Sequence, residues 1–500
     1  MRANQDTVGV SVAQNTFKSI FRLKNINFGI FFVNNVLNNF VDLPTRVEFE
    51  SVFDLTNKKV SKEVKNASKS FLQKIAHLEG YYCVTDVLEL YDDEELHPYL
   101  DYLQTQGVRS FILAPIRKND GFQPYIEIYS EVPYALHSIN ANKLNDVMPL
   151  LNDTFERYYH DIKNELDAII QREYTTIHPS VNWKFQEQAK NAFFVASKNE
   201  NYILKEIEFQ NVMPLFGETD IQSSTSLRNH SILQDLKKQL KDVLSIFESI
   251  YALNNHIVFQ QRIDEILFFT EQLKTSEFLV ESKINRYIVD DIHPILNKFS
   301  EHESLKDKIQ KYKEKLDVKT ERYSKQIDKY NVCVQKINKN LTNIIDVEQD
   351  VIQKIYPHYF ERFRTDGVEH NLYIGASISP NQNFDVMYLY NLRLWQLQVI
   401  CKMILSHVQL KETLDFDMNL TSLILVYNDA VSIKFRMDEK RFDVDGTEGI
   451  RYEMLKKRLT KATINHSEER LVKANVLTIV YLSDKEKGEY LNYIKFLQAR

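Results

Sequence analysis

The strand-like segments "GVRSFILAPI" (residues 107–116) and "YIEIYS" (125–130) bring Ser110, Glu127 and Tyr129 onto neighbouring stretches, and "YYCVTDVLEL" adds Tyr82 on a third. Strand alternation puts Ser110, Ile112 and Ala114 on one face of the first segment and Phe111, Leu113 and Pro115 on the other, with Glu127 and Tyr129 sharing a face of the second. A carboxylate, a hydroxyl and two phenols on an otherwise apolar surface are the handles that orient a small molecule in a pocket. If the smaller, more polar set faces the covering loops, Tyr82, Ser110, Glu127 and Tyr129 line such a pocket. The competing expectation is a core filled completely between sheet and loops.

A second concentration of reactive groups is "RMDEKRFDVDGTEG", where Arg436, Asp438, Arg441, Asp443 and Asp445 lie within ten residues. Opposite charges at that density make either a salt-bridged turn or, as the alternative functional reading, an enzyme active site. Asp-x-Asp-Gly is part of a calcium loop, but the further acidic pair and the glutamate at the twelfth position are missing, so no metal is expected. His178 precedes Pro179 and reads as a helix-break residue. No P-loop, GxSxG, HExxH or paired CxxC occurs, so no cofactor is expected and the leading expectation is a protein without catalytic activity.

The elements that must position these residues belong to a chain of 500 residues, enough for two to four domains. A net charge of -6 gives no general attraction to nucleic acid or anionic lipid. No run of about 18 apolar residues is present, and a cytoplasmic protein is expected. Cys83, Cys333 and Cys401 are too scattered for a disulfide framework. Glycine and proline number only 11 each, which favours long helices. Apolar steps of three and four from Leu144 to Ile169 predict a helix leaving the first domain. "MPLFGETDIQSSTS" reads as a loop ending in helix-capping residues. From about Ser226 to Ile355 the pattern is helical, and residues 300–352 are expected to form one long coiled-coil-like helix with a stutter near Val318 to Tyr323. Strands "NLYIGASI", "SLILVYN", "AVSIKFRM" and "VLTIVYLS" then alternate with helices. The expected architecture is α+β: an N-terminal antiparallel sheet with helices over 20–165, connecting segments over 166–225, a helical bundle or hairpin over 226–355, and an α+β domain over 356–500.

In order and spacing, "LQTQGVRSFILAPI", the hairpin to "YIEIYS" and "PYALHSINANKLNDVMPLL" resemble a GAF domain covering roughly residues 20 to 165. The resemblance implies that the Gly-Val-Arg-Ser turn enters a central strand, that the hairpin adds its neighbour, and that the last helix packs on the opposite face as a dimer or signalling helix. It also implies a small molecule bound between the sheet and its covering loops. The bilin-attachment cysteine, the cyclic-nucleotide signature and the clustered cysteines of the methionine sulfoxide reductase type are missing. Arg109 accompanies the family whatever its ligand, so it is expected to clamp a carboxylate or carbonyl at the sheet end. The segments "VMPLFGETDIQSS", "HYFERFRTDGVEHNLYIGASI" and "FRMDEKRFDVDGTEGIRYEMLKKR" resemble the C-terminal half of long bacterial GAF-domain-containing proteins of no established activity, of which this chain looks like a shortened relative or fragment. The function these readings imply is a sensor or signalling scaffold for an unidentified small molecule, with a homodimer or protein partner met through its helices.

Overall fold

A computed structural model of the chain describes residues 14–34, 39–40, 51–56, 58–76, 80–117, 122–174, 177–197, 205–275, 281–380, 382–459, 462–464, 467 and 469–499. The described residues form two compact units, one made of those up to Ile207 together with Met437–Lys440, the other of Glu208–Arg436 and those from Arg441 onward. The fold is mixed α+β with antiparallel pairing dominant in both sheets. No helix among the described residues is long and apolar enough to cross a membrane.

The first unit is built on β1 (Asn27–Asn34), β2 (Asn39–Phe40), β3 (Tyr82–Val84), β4 (Ser110–Pro115) and β5 (Phe122–Ser130), in spatial order β2-β1-β5-β4-β3. The Asn119-Asp120-Gly121 stretch, a turn signal between the two strand-like segments, lies outside the described residues. The β4–β5 register pairs Leu113 with Glu127 and Ile112 with Ile128, so consecutive residues enter separate cores. On one face Phe31, Phe53, Phe71, Tyr99, Phe111 and Tyr125 pack with α1 (Lys62–Ile75) and α2 (His97–Thr105). On the other, Ile112, Ala114, Ile126 and Ile128 meet Leu144 at the start of α3 (Leu144–Glu173), which emerges as one 30-residue helix as its periodicity predicts. The helix α4 (Pro179–Ser197) follows.

The second unit centres on β6 (Glu208–Ile221), whose C-terminal part runs through the segment expected to be a loop. Gly217 and Pro214 read as breakers in sequence, yet each has a place inside the strand. A Cβ on Gly217 would lie 2.4 Å from Cε1 of the buried His370, so this glycine serves close packing rather than a turn. Pro214 sits between the pairs Leu215↔Val426 and Val212↔Val431, where the ladder on one side passes from one partner strand to the next.

The helices α5 (Ser224–Leu253), α6 (Ile257–Thr275), α7 (Glu281–Tyr287), α8 (His293–Lys298), α9 (Lys306–Lys313) and α10 (Lys325–Ile352) are inserted before the sheet resumes. Instead of one helix over 300–352, α9 and α10 are separated by a closed loop in which Asp317 accepts from the backbone N–H of Lys319 and Thr320 at 3.1 and 2.8 Å. A local acceptor beats continuation of the helix there. The sheet is completed by β7 (Tyr359–Arg364), β8 (Gly367–Ile374), β9 (Leu420–Val426), β10 (Val431–Arg436), β11 (Arg441–Asp445) and β12 (Leu477–Val480). Its further helices are α11 (Val386–Lys411), α12 (Gly446–Leu459) and α13 (Asp484–Gln498). Strand β6 pairs with β8, β9 and β10, so the segment expected to be a connector is the central strand of the C-terminal sheet. Helices α10 and α11 fill one face with Ile337, Leu341, Leu392 and Val399 against Leu215 and Leu372.

Candidate functional site

The four residues expected to share a pocket in the first unit are divided by the pleat. Ser110 belongs to the face of Ile112 and is fully buried, where its Oγ donates to the carbonyl of Val132 at 2.8 Å and accepts from the N–H of Leu136 at 3.3 Å. Tyr82, Glu127 and Tyr129 lie on the opposite face: Tyr82 and Glu127 both pair with Leu113, and Tyr129 pairs with Phe111. The expectation that Ser110 joins them therefore fails on strand parity. It put the small residues toward the loops, whereas the large apolar ones face that way. Phe53, Phe71 and Phe111 cover this face, with the Phe53 and Phe111 ring centroids 5.1 Å apart and the Tyr82 ring 6.0 Å from Phe111.

Glu127 is fully buried in the middle of this face, a costly place for a carboxylate. The segment Ser51–Phe53 lies over it: Ser51 Oγ donates to Oε2 at 2.6 Å, the N–H of Val52 donates to Oε1 at 2.8 Å, and the N–H of Phe53 donates to Oε2 at 3.4 Å. The carbonyls of that segment are held as well, by Lys58 Nζ on Ser51 and Val52 and by Tyr99 Oη on Phe53 at 2.8 Å. Burial pushes the Glu127 carboxyl up to about 7, with the three donors and the Lys58 charge acting against that rise. Glu127 thus latches the segment that covers the sheet.

Arg109 takes the predicted clamp role, with Nη2 3.0 Å from Oδ2 of Asp86. Burial would raise the Asp86 carboxyl, but the Arg109 hydrogen bonds, the Leu88 N–H and the Arg109 charge outweigh that and hold it below the usual carboxylate range. Asp86 also caps the short helix at Val87–Leu90, so this pair fixes the entry to β4.

The charged segment of the last domain is the β10–β11 hairpin. Phe435 and Phe442 pair across it and are buried, while Arg436, Asp438 and Arg441 are exposed. Asp443 and Asp445 are half-buried and pair with Lys434 and Ser432. Arg436 pairs with Arg441 at the end of the ribbon, and Asp438 lies in the turn beyond that pair.

Sequence reasoning missed an arrangement at the C-terminal end of β6. Glu218 and Asp220 are alternate residues of one strand face, half-buried, at a cavity of about 630 Å3. Thr421 and Leu423 of β9, Ser224 and its neighbours at the start of α5, and Glu469, Arg470 and Lys473 complete the lining. Burial, Asp220 and Glu369 raise the Glu218 carboxyl to about 7, against the charge of Lys456; burial likewise raises Asp220 to about 6. Lys456, itself buried, bonds Asn371 Oδ1 at 3.0 Å and Glu453 Oε1 at 3.1 Å on the same side of the sheet. The signal was present in "GETDIQSSTS", where acidic residues alternate just before a helix, but it is informative only if β6 is read as a strand.

Among the helices, His293 bridges Glu321 at 3.1 Å and Tyr312 Oη at 2.9 Å. Burial pushes the Tyr312 phenol far up, so it stays protonated, and the trio ties the α9–α10 loop to α8. No group of His, Cys, Asp and Glu residues among the described residues is arranged to hold a metal ion. No protein-family model matches the chain, and no curated protein matches it either.

Proposed function

We propose that this chain is a GAF-type small-molecule sensor joined to a helical and α+β signalling scaffold, acting without catalysis, and that its covering segment occupies the sensing face in the closed state. The observation that carries the reading is the latch on Glu127. Ser51, Val52 and Phe53 supply three donors to one buried carboxylate, and a ligand bearing N–H or O–H donors would replace them group for group. The antiparallel order β2-β1-β5-β4-β3 and the long helix α3 on the opposite face support the GAF assignment. They also give a route by which release of the segment reaches the helix: Glu127 and Ile128 are adjacent on β5, and Ile128 packs in the core that contains Leu144. Opening would expose Phe53, at a cost of about 2 to 3 kcal/mol that a ligand must offset. The exposed hairpin charges do not favour the enzyme alternative.

The test is a thermal-shift screen of the full chain with donor-bearing small molecules, amides, guanidines and nucleobases, followed by amide exchange on each hit. A sensor of this kind gives at least one compound that stabilises the protein while speeding exchange at Val52 and Phe53. Compounds that bind while both amides stay protected would contradict the latch-displacement reading, and so would a screen without hits.

A further inference from the structure

Phe53 makes, in one residue, the contacts that any molecule displacing it must replace. Its ring lies 6.0 Å from that of Phe31 and 6.3 Å from that of Phe71, near-parallel to both at 19° and 26°, and it meets Phe111 edge to face at 5.1 Å. These neighbours bound a flat slot suited to one planar ring. The Phe53 N–H donates to Oε2 of Glu127 at 3.4 Å, and its carbonyl accepts from Oη of Tyr99 at 2.8 Å. Glu127 and Tyr99 are fully buried, so release of the segment strands a carboxylate and a phenol O–H beside an empty slot. Positive charge leaves with it: Lys58 Nζ is bonded to the carbonyls of Ser51 and Val52 at 2.8 and 3.2 Å, and its charge favours the ionised form of Glu127.

We infer, resting on the reading that the sensed molecule displaces this segment, that the ligand is a small aromatic α-amino carbonyl cation without a carboxylate, its ring in the Phe53 slot, its ammonium on Glu127 and its carbonyl oxygen on Tyr99. An ammonium group brings three N–H donors, the number that Ser51, Val52 and Phe53 withdraw, together with the charge that Lys58 withdraws. An acylated amine lacks that charge. A carboxylate in place of the neutral carbonyl is repelled by Glu127, and an aliphatic side chain fills a flat slot poorly.

Isothermal titration of the full chain at about pH 6, where an α-amino group is protonated, tests the assignment with four probes: phenylalaninamide, its N-acetyl derivative, phenylalanine and leucinamide. Phenylalaninamide should bind at least tenfold more tightly than each of the others and should speed amide exchange at Val52 and Phe53. Glu127→Gln should weaken that binding at least tenfold. Phe53→Ala, which removes the ring the ligand must displace, should strengthen it at least tenfold, and a fold defect common to both variants cannot give opposite signs. Equal binding of the N-acetyl derivative or of leucinamide with the two amides released would overturn the assignment and leave the latch reading standing, as would no binding of phenylalaninamide to wild type or Phe53→Ala while another donor-bearing compound opens the latch. Binding of phenylalaninamide with both amides still protected, or affinity unchanged in both variants, would overturn the assignment and the latch reading together.

Discussion

Replacing Glu127 with glutamine should flatten the pH dependence of the first unit's stability. The folded carboxyl stands at about 7 against an ordinary value of 4.5. The native state therefore holds this proton more tightly than the unfolded chain does, and stability falls as pH rises through that window. At roughly 1.4 kcal/mol per pH unit, the loss approaches about 3 kcal/mol by pH 8. Below about pH 4.5 both states carry the proton and the contribution is constant. Glutamine never ionises and keeps one acceptor oxygen, enough for the Val52 N–H, while its NH2 in the place of Oε2 can donate to Ser51 Oγ and gives up the longer Phe53 bond. The first unit can be followed through Trp183 in a Trp395→Phe background, since the chain has two tryptophans. Urea unfolding at pH 5, 6, 7 and 8 should show wild type losing on the order of 2 to 3 kcal/mol across the range relative to Glu127→Gln. Parallel profiles for the two proteins would refute a buried, titrating Glu127.

Arg109→Ala strips Asp86 of its guanidinium partner and should cost about 1 kcal/mol, modest because the Arg109 side chain is 36% exposed; chemical denaturation monitored at Trp183 measures it. Ile337→Asp places an unpaired carboxylate where exposure is 0% and should cost about 4 kcal/mol or more, read as a large fall in the thermal midpoint of the second unit. Gly217→Ala forces a methyl group against His370 and Gln396 and should destabilise that unit by about 2 kcal/mol in the same assay.

The elements with strong periodicity were legible in sequence: the stripe of α3, the strands around Ile112, Leu423 and Ile433, and the helices α11 to α13. Three physical effects hid the rest. Strand parity was read correctly for β4 and β5 separately, but which face met the covering segment depends on tertiary packing, so Ser110 and Glu127 were joined across the sheet. Gly217 and Pro214 carry the composition of a turn, while their actual roles are close approach to His370 and a ladder break. That misreading concealed β6 and with it the cavity at Glu218 and Asp220. The apolar spacing across Val318 to Tyr323 also fits a stuttering helix, and only the bonds made by Asp317 show why the chain turns back instead. The clamp role of Arg109 was expected from the resemblance alone; its partner Asp86 lies in the strand-like "YYCVTDVLEL" and nothing in the sequence singled it out.

The latch itself is tested most directly by amide exchange resolved to Val52 and Phe53 in wild type and Glu127→Ala. Both N–H groups donate to a buried carboxylate at 2.8 and 3.4 Å, so in wild type they should exchange as slowly as the strand amides of Ile126 and Ile128. In the variant they should exchange at least tenfold faster while the β4–β5 ladder keeps its protection. Fast exchange at Val52 and Phe53 in wild type, or rates unchanged by the substitution, would contradict the account.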